Sequence, residues 1–147
     1  MGVGVVKGMK KLWMLGACLL GWPLWTTAQN LEVQINGLGD IEGNLRVAVF
    51  DAAKEFPDDA FALQKKEVPV YSRSQVIAFD ELPEGRYAVA VYHDADRNGE
   101  LNKNFFGMPT EDYGFSNDAT GSFGPPSFGA CMFYYNGKAR KVVVNID

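Results

Sequence analysis

A single small, all-β domain of the antiparallel sandwich type is what this chain predicts. Two observations carry that prediction. Apolar residues recur with period two in several short runs, and nearly every run is bounded by Gly, Pro or Asn. The 147-residue length is that of one domain, not of several.

The runs appear in order along the chain. Leu31, Val33 and Ile35 alternate with Glu32, Gln34 and Asn36, and Gly37-Leu38-Gly39-Asp40 turns the chain. Leu45, Val47 and Val49 form the inward face of a second strand, with Ala48 and Phe50 on its reverse. Val76, Ala78 and Phe79 belong to a third. Tyr87, Val89 and Val91 alternate on a fourth, whose other face holds Ala88, Ala90 and Tyr92. A strand apolar on both faces belongs in the middle of a sheet. Ala130 to Tyr135 reads as a fifth strand, and Val142, Val144 and Ile146 mark the last. Asn136-Gly137 between those two predicts a tight hairpin, because both residues tolerate positive φ. One short helix is expected over Pro57 to Lys66, where early acids and late lysines suit a helix dipole.

The first 28 residues stand apart from this pattern. Lys7, Lys10 and Lys11 precede an apolar run from Leu12 to Trp25, and Thr26-Thr27-Ala28 closes it with small residues. That order is a secretory signal peptide, so residues 1–28 are expected to be removed on export and 29–147 to form the domain. A membrane anchor fits less well, since a span needs about 20 apolar residues and Pro23 interrupts this run. A lipoprotein signal ending at Cys18 is the other rival. Leu15-Gly16-Ala17-Cys18 resembles a lipobox, but the apolar run between Lys11 and Gly16 is only four residues, Leu12 to Leu15. Export implies the periplasm or the extracellular space.

Charge and cysteine narrow the partners. The net charge is −4, and losing the three leader lysines makes it −7. Nucleic acid and anionic membrane surfaces both select basic patches, so neither is an expected partner. No stable membrane span is expected after cleavage. Cys131 is then the one cysteine left, so no internal disulfide is possible. It lies in an apolar pattern and reads as a buried, inert thiol. No Gly-rich phosphate loop or nucleophile elbow is present, so no catalytic residue is assigned.

Two segments carry possible chemistry. In His93-Asp94-Ala95-Asp96-Arg97-Asn98-Gly99-Glu100-Leu101-Asn102, oxygen side chains fall at alternate positions ahead of a glycine. Calcium wants six to eight hard oxygens, and alternate residues of a tight loop can all point inward. Asp94, Asp96, Asn98, Glu100 (through its backbone carbonyl) and Asn102 are therefore the candidate calcium ligands. Phe105 stands where an EF-hand has its closing Glu, so further ligands must come from Glu111, Asp112 or Asp118. The competing reading is a polar hairpin tip, since Asn98-Gly99 is also a turn signal. His93, the sole histidine, cannot build a histidine-rich zinc site.

The second segment is Asn104 to Gly129. It holds five Phe, one Tyr, five Gly and three Pro in 26 residues, with no periodicity. A long aromatic loop of this kind is often functional. Phe105, Phe106, Tyr113, Phe115, Asn117, Phe123 and Phe128 are the candidate ligand-binding residues. The competing expectation is that the rings pack down and pin the loop to the sandwich.

Several motifs recur in an order that resembles a known family. They are Leu82-Pro83-Glu84-Gly85-Arg86-Tyr87-Ala88-Val89, His93 to Gly99, Phe106-Gly107-Met108-Pro109, Tyr113 to Asn117, and Phe123 to Phe128. The first is similar to the turn and strand of transthyretin-like and other prealbumin-type sandwiches. The set resembles the exported bacterial proteins called domain of unknown function 2141. The resemblance implies export and a transthyretin-like or immunoglobulin-like sandwich, and it implies no activity. Asn102 stands where that family often has Asp, which removes one charge from the loop.

The functional expectation is a non-enzymatic exported binding or structural module, with calcium as its one candidate cofactor. Its partner would be a ligand or an envelope protein. A carbohydrate-directed envelope hydrolase working through Asp94, Asp96, Glu111 or Asp112 is the first alternative. A subunit of an envelope assembly is the second.

Overall fold

The computed structural model describes residues 30–147, together with Gly2. The leader and Cys18 lie outside that range. The strands are β1 (Asn30–Asn36), β2 (Asn44–Phe50), β3 (Gln64–Pro69), β4 (Ser74–Asp80), β5 (Gly85–Asp94), β6 (Tyr113–Phe115), β7 (Phe133–Tyr135) and β8 (Arg140–Asn145), with one helical turn, α1 (Phe128–Cys131). They form two sheets, ordered β4-β1-β8 and β3-β2-β5-β6, with β7 also paired to β5. The all-β sandwich is thus as expected. All pairings are antiparallel except β1 with β8.

The period-two residues fill the space between the sheets. Leu31, Val33 and Ile35, with Val144 beside them in the same sheet, face Leu45, Val47, Val49, Val89 and Val91, all essentially inaccessible to solvent. β5 is central, as its two apolar faces predict. β2 runs along one edge of it, and β7 and β6 share the other. Ser116 fills the gap between those two short strands. Its Oγ accepts from Val89 N–H at 2.9 Å and donates to the Cys131 carbonyl at 2.6 Å. A buried strand amide left without a ladder partner would otherwise be costly.

Three elements differ from the sequence reading. The expected helix over residues 57–66 is only a 3-10 turn at Asp59–Phe61, capped by Asp58 accepting from Ala60 N–H, after which β3 begins. β3 is an edge strand whose residues alternate between half-buried and exposed. Only Val68 packs on the core, so no apolar alternation marked it. The expected strand over 130–135 starts as α1, with Ser127 as N-cap, and only Phe133–Tyr135 is extended. The Asn136-Gly137 turn makes no hairpin, because β7 pairs with β5 and β8 with β1. Gly137 does take positive φ, but the turn passes the chain from one sheet to the other.

Candidate functional site

The outer face of the five-stranded sheet is built in rows across the strands. Phe50 opposes Ala88, Ala48 opposes Ala90, Arg46 opposes Tyr92, and Asn44 opposes Asp94. β6 extends two of these rows, placing Phe115 beside Ala90 and Tyr113 beside Tyr92. β3 extends them on the other side with Lys65 and Glu67. Each row has its own chemistry, and together they position Asp94, Tyr113 and Phe115.

The Asn44–Asp94 row anchors the acidic loop. Asp94 is not on a loop tip, as its place in a polar run suggested. It ends β5 and is wholly buried. One carboxylate oxygen accepts from Asn98 N–H at 3.0 Å. The other accepts from Gly99 N–H and Arg46 Nε, both at 2.9 Å. Burial alone would raise this carboxyl. The Arg46 hydrogen bond and the two backbone donors outweigh it and hold Asp94 below the usual carboxylate range. Gly99 has φ of +87°, and a Cβ there would come within 3.2 Å of the Arg46 guanidinium. Gly43, at φ +70°, lets the neighbouring turn pass the chain at Ala95, whose Cα would lie 2.6 Å from an added Cβ.

The rest of the loop closes over this anchor. Asp96 Oδ2 accepts from the amides of Asn98 at 3.1 Å and Asn102 at 2.9 Å, and Asn98 also donates to Asn102 Oδ1 at 2.6 Å. Glu111 reaches in from the segment before β6. Its two oxygens accept from Ala95 N–H at 3.0 Å and Asn102 N–H at 2.9 Å. Asp94, Asp96 and Glu111 each offer an oxygen, and the three lie within 4.8 Å of one another. Of the outside ligands foreseen, Glu111 arrives. Asp118 does not, since it accepts from the backbone and side-chain amides of Asn145. The Glu100 side chain points to solvent, and its backbone N–H donates to Asn98 Oδ1. Arg46 went unforeseen, because nothing in an alternating strand tells which distant acid an outward arginine will meet. His93 faces the core, its ring Nε2 donating to the Glu42 carbonyl at 2.7 Å.

The aromatic segment divides. Phe115 is buried, and Tyr113 and Phe128 are half-buried. With Phe50, Phe56, Ala88 and Cys131 they cover the Phe50–Ala88 end of the sheet face, Phe56 meeting Phe50 edge-on at 4.9 Å and Phe128 at 5.8 Å. Asn117 is structural. It sits at φ +63°, and its amide donates to the carbonyls of Ala130 and Met132, tying α1 down. Cys131 is fully buried at the end of α1, and burial pushes its thiol up to about 11, so it is an inert thiol. Phe105, Phe106 and Phe123 do the opposite. They are 97%, 84% and 106% exposed, and Met108 is 61% exposed. Phe105 and Phe106 nevertheless stand on an ordered turn. Asn104 Oδ1 accepts from Phe106 N–H and Met108 N–H, while Asn104 N–H donates to the Met108 carbonyl at 2.8 Å.

Among the described residues no helix is long and apolar enough to cross a membrane. The fold and the row of acidic, arginine and aromatic side chains define a small two-sheet β domain that carries a carboxylate cage at one end of its sheet face. Residues 33–143 match the model of the family described as uncharacterized protein conserved in bacteria (DUF2141), and the chain belongs to that family. No curated protein and no solved structure matches it.

Proposed function

We propose that this protein is an exported, non-enzymatic binding or structural module whose acidic loop takes calcium and whose Phe105–Met108 tip meets a partner in the envelope. The observation that carries this reading is the exposure of Phe105 and Phe106 on a turn whose backbone is fixed by Asn104. Large apolar side chains held out in water by an ordered turn suit contact with another surface. The pattern of a basic n-region, an apolar run and small residues at 26–28 supports export.

The acidic loop supports the calcium part. Asp94 is already neutralised by Arg46, so a cation would draw mainly on Asp96, Glu111 and the amide oxygens of Asn98 and Asn102. Carboxylate oxygens keep spare lone pairs after accepting one N–H, so Glu111 can still coordinate. Asp94 gives the hydrolase alternative no support. It is held ionised and locked on three donors, whereas a general acid needs a raised pKa. The exposed rings favour the assembly-subunit reading as the form this binding takes.

The test is a double substitution, Phe105→Ser with Phe106→Ser. The reading predicts an unfolding midpoint within about 0.5 kcal/mol of the parent, as for surface changes generally. A large fall in the midpoint would make the tip part of the core and remove it as a contact surface.

A further inference from the structure

We propose that the Ala48–Ala90 row is the floor of a binding groove for a neutral saccharide. This site lies apart from the Phe105–Met108 tip and does not depend on it. Ala48 and Ala90 face each other in register on the outer face, and with methyl side chains they leave a trough between taller rows. Tyr92 and Tyr113 form one wall. Phe115, in the same row as Ala90, closes one end of the trough, and Pro57 also lines it. Two adjoining cavities of about 200 and 440 Å³ share Ala90, Tyr92, Pro57 and Asp59 in their linings. Together they reach the size range of small-ligand sites, roughly 300–1,000 Å³.

The lining decides the class of ligand. Tyr92 is fixed as a wall because its hydroxyl donates to the Gly99 carbonyl at 3.1 Å, which ties the ring to the acidic loop. Half-buried tyrosine rings offer flat apolar faces to the C–H face of a sugar ring. Around them stand four acidic side chains and three basic ones, from the Asp59–Lys65 pair at the β3 edge to Glu100 and Lys103 at the other end, while Lys66 turns its ammonium away to the Ala78 carbonyl. The lining is therefore slightly acidic, as the chain is overall. A phosphate or polyanion would find no excess of cations there. A polyhydroxylated neutral ring finds both carboxylate acceptors and ammonium donors. An extended peptide gains less. The floor strands are hydrogen-bonded to one another, so the groove offers no free backbone edge to add to.

The test is titration of the full chain with cello-, malto- and chito-oligosaccharides of four to six sugars, and separately with a proline-rich peptide, followed by tyrosine fluorescence and calorimetry. The expected result is saturable binding of at least one oligosaccharide. Ala90→Leu, which fills the trough, and Tyr92→Ala, which removes a wall, should each weaken it at least ten-fold. Tyr92→Phe, which keeps the ring but loses its tie to Gly99, should weaken it less than Tyr92→Ala does. Circular dichroism on each variant separates lost binding from lost fold, and Phe105→Ser/Phe106→Ser should bind as the parent does. No binding of any oligosaccharide at millimolar concentration, binding of the peptide alone, or binding indifferent to Ala90→Leu with the fold intact would overturn the proposal.

Discussion

The aromatic residues of the 104–129 segment fall into two groups of three with opposite fates. Tyr113, Phe115 and Phe128 lie against the sheet, whereas Phe105, Phe106 and Phe123 stand in water. What differs is the backbone that carries them. Tyr113 and Phe115 are on β6, in register with Tyr92 and Ala90, so the pleat aims both rings at the outer face. Phe105 and Phe106 are on a turn whose hydrogen bonds close on Asn104. An aromatic residue is buried here only where a ladder or a cap already holds its backbone against the sheet.

Substitutions should separate the two groups sharply. Phe115→Ala is expected to cost about 3–5 kcal/mol, the usual loss for a buried ring, and to lower the thermal midpoint accordingly. If it proves as mild as the Phe105/Phe106 pair, the second aromatic cluster is not a core.

Arg46→Ala is expected to cost less, about 2–3 kcal/mol, because it strands the buried Asp94 carboxylate while Arg46 itself is a quarter exposed. Chemical denaturation of the variant at neutral pH would measure it. The same pair gives a pH dependence. The folded-state pKa of Asp94 lies below its ordinary 3.8, so its contribution to stability is complete above that value. The contribution fades as pH falls through the folded value. Denaturation midpoints between pH 5 and 2 should drop less steeply in Arg46→Ala than in the parent.

Tyr87→Phe should have the smallest measurable effect, about 1 kcal/mol, since the Tyr87 hydroxyl donates to the Pro83 carbonyl at 2.7 Å. Tyr135→Phe, by contrast, should be neutral or slightly stabilising. Among the described residues the buried Tyr135 hydroxyl has no protein partner, so its removal abolishes a desolvation cost.

The legibility of the sequence follows the same division. Strands whose inner face is apolar (β1, β2, β5 and β8) were readable, because the sandwich core imposes period two on them, whereas β4 was legible as a strand but not in its facing, since Ile77 and Phe79 enter the core and Val76 is exposed. β3 was not, since an edge strand needs only Val68 to hold it and fills the rest with Lys65, Lys66 and Glu67. α1 was hidden inside an apolar run too short to separate helix from strand, and its Ser127 cap was the one available signal. Of the acidic loop, the spacing of Asp94, Asp96, Asn98 and Asn102 was legible. Its closure by Glu111 and neutralisation by Arg46 are long-range events that local spacing cannot encode. The alternation Ala88, Ala90, Tyr92 was also visible, but only the register with Ala48 and Phe115 turns it into a trough.

The most direct measurement is thermal unfolding of residues 29–147 in excess EDTA and then in millimolar calcium. A cation that binds only the folded loop should stabilise it by about 2.7 kcal/mol at one hundred times its dissociation constant. For a domain of this size that is a rise of roughly 10 °C. A calcium-binding loop gives such a rise, specific to calcium and lost in Asp96→Ala. An unchanged midpoint would contradict it and leave the loop as a turn held together by its own amides and by Arg46.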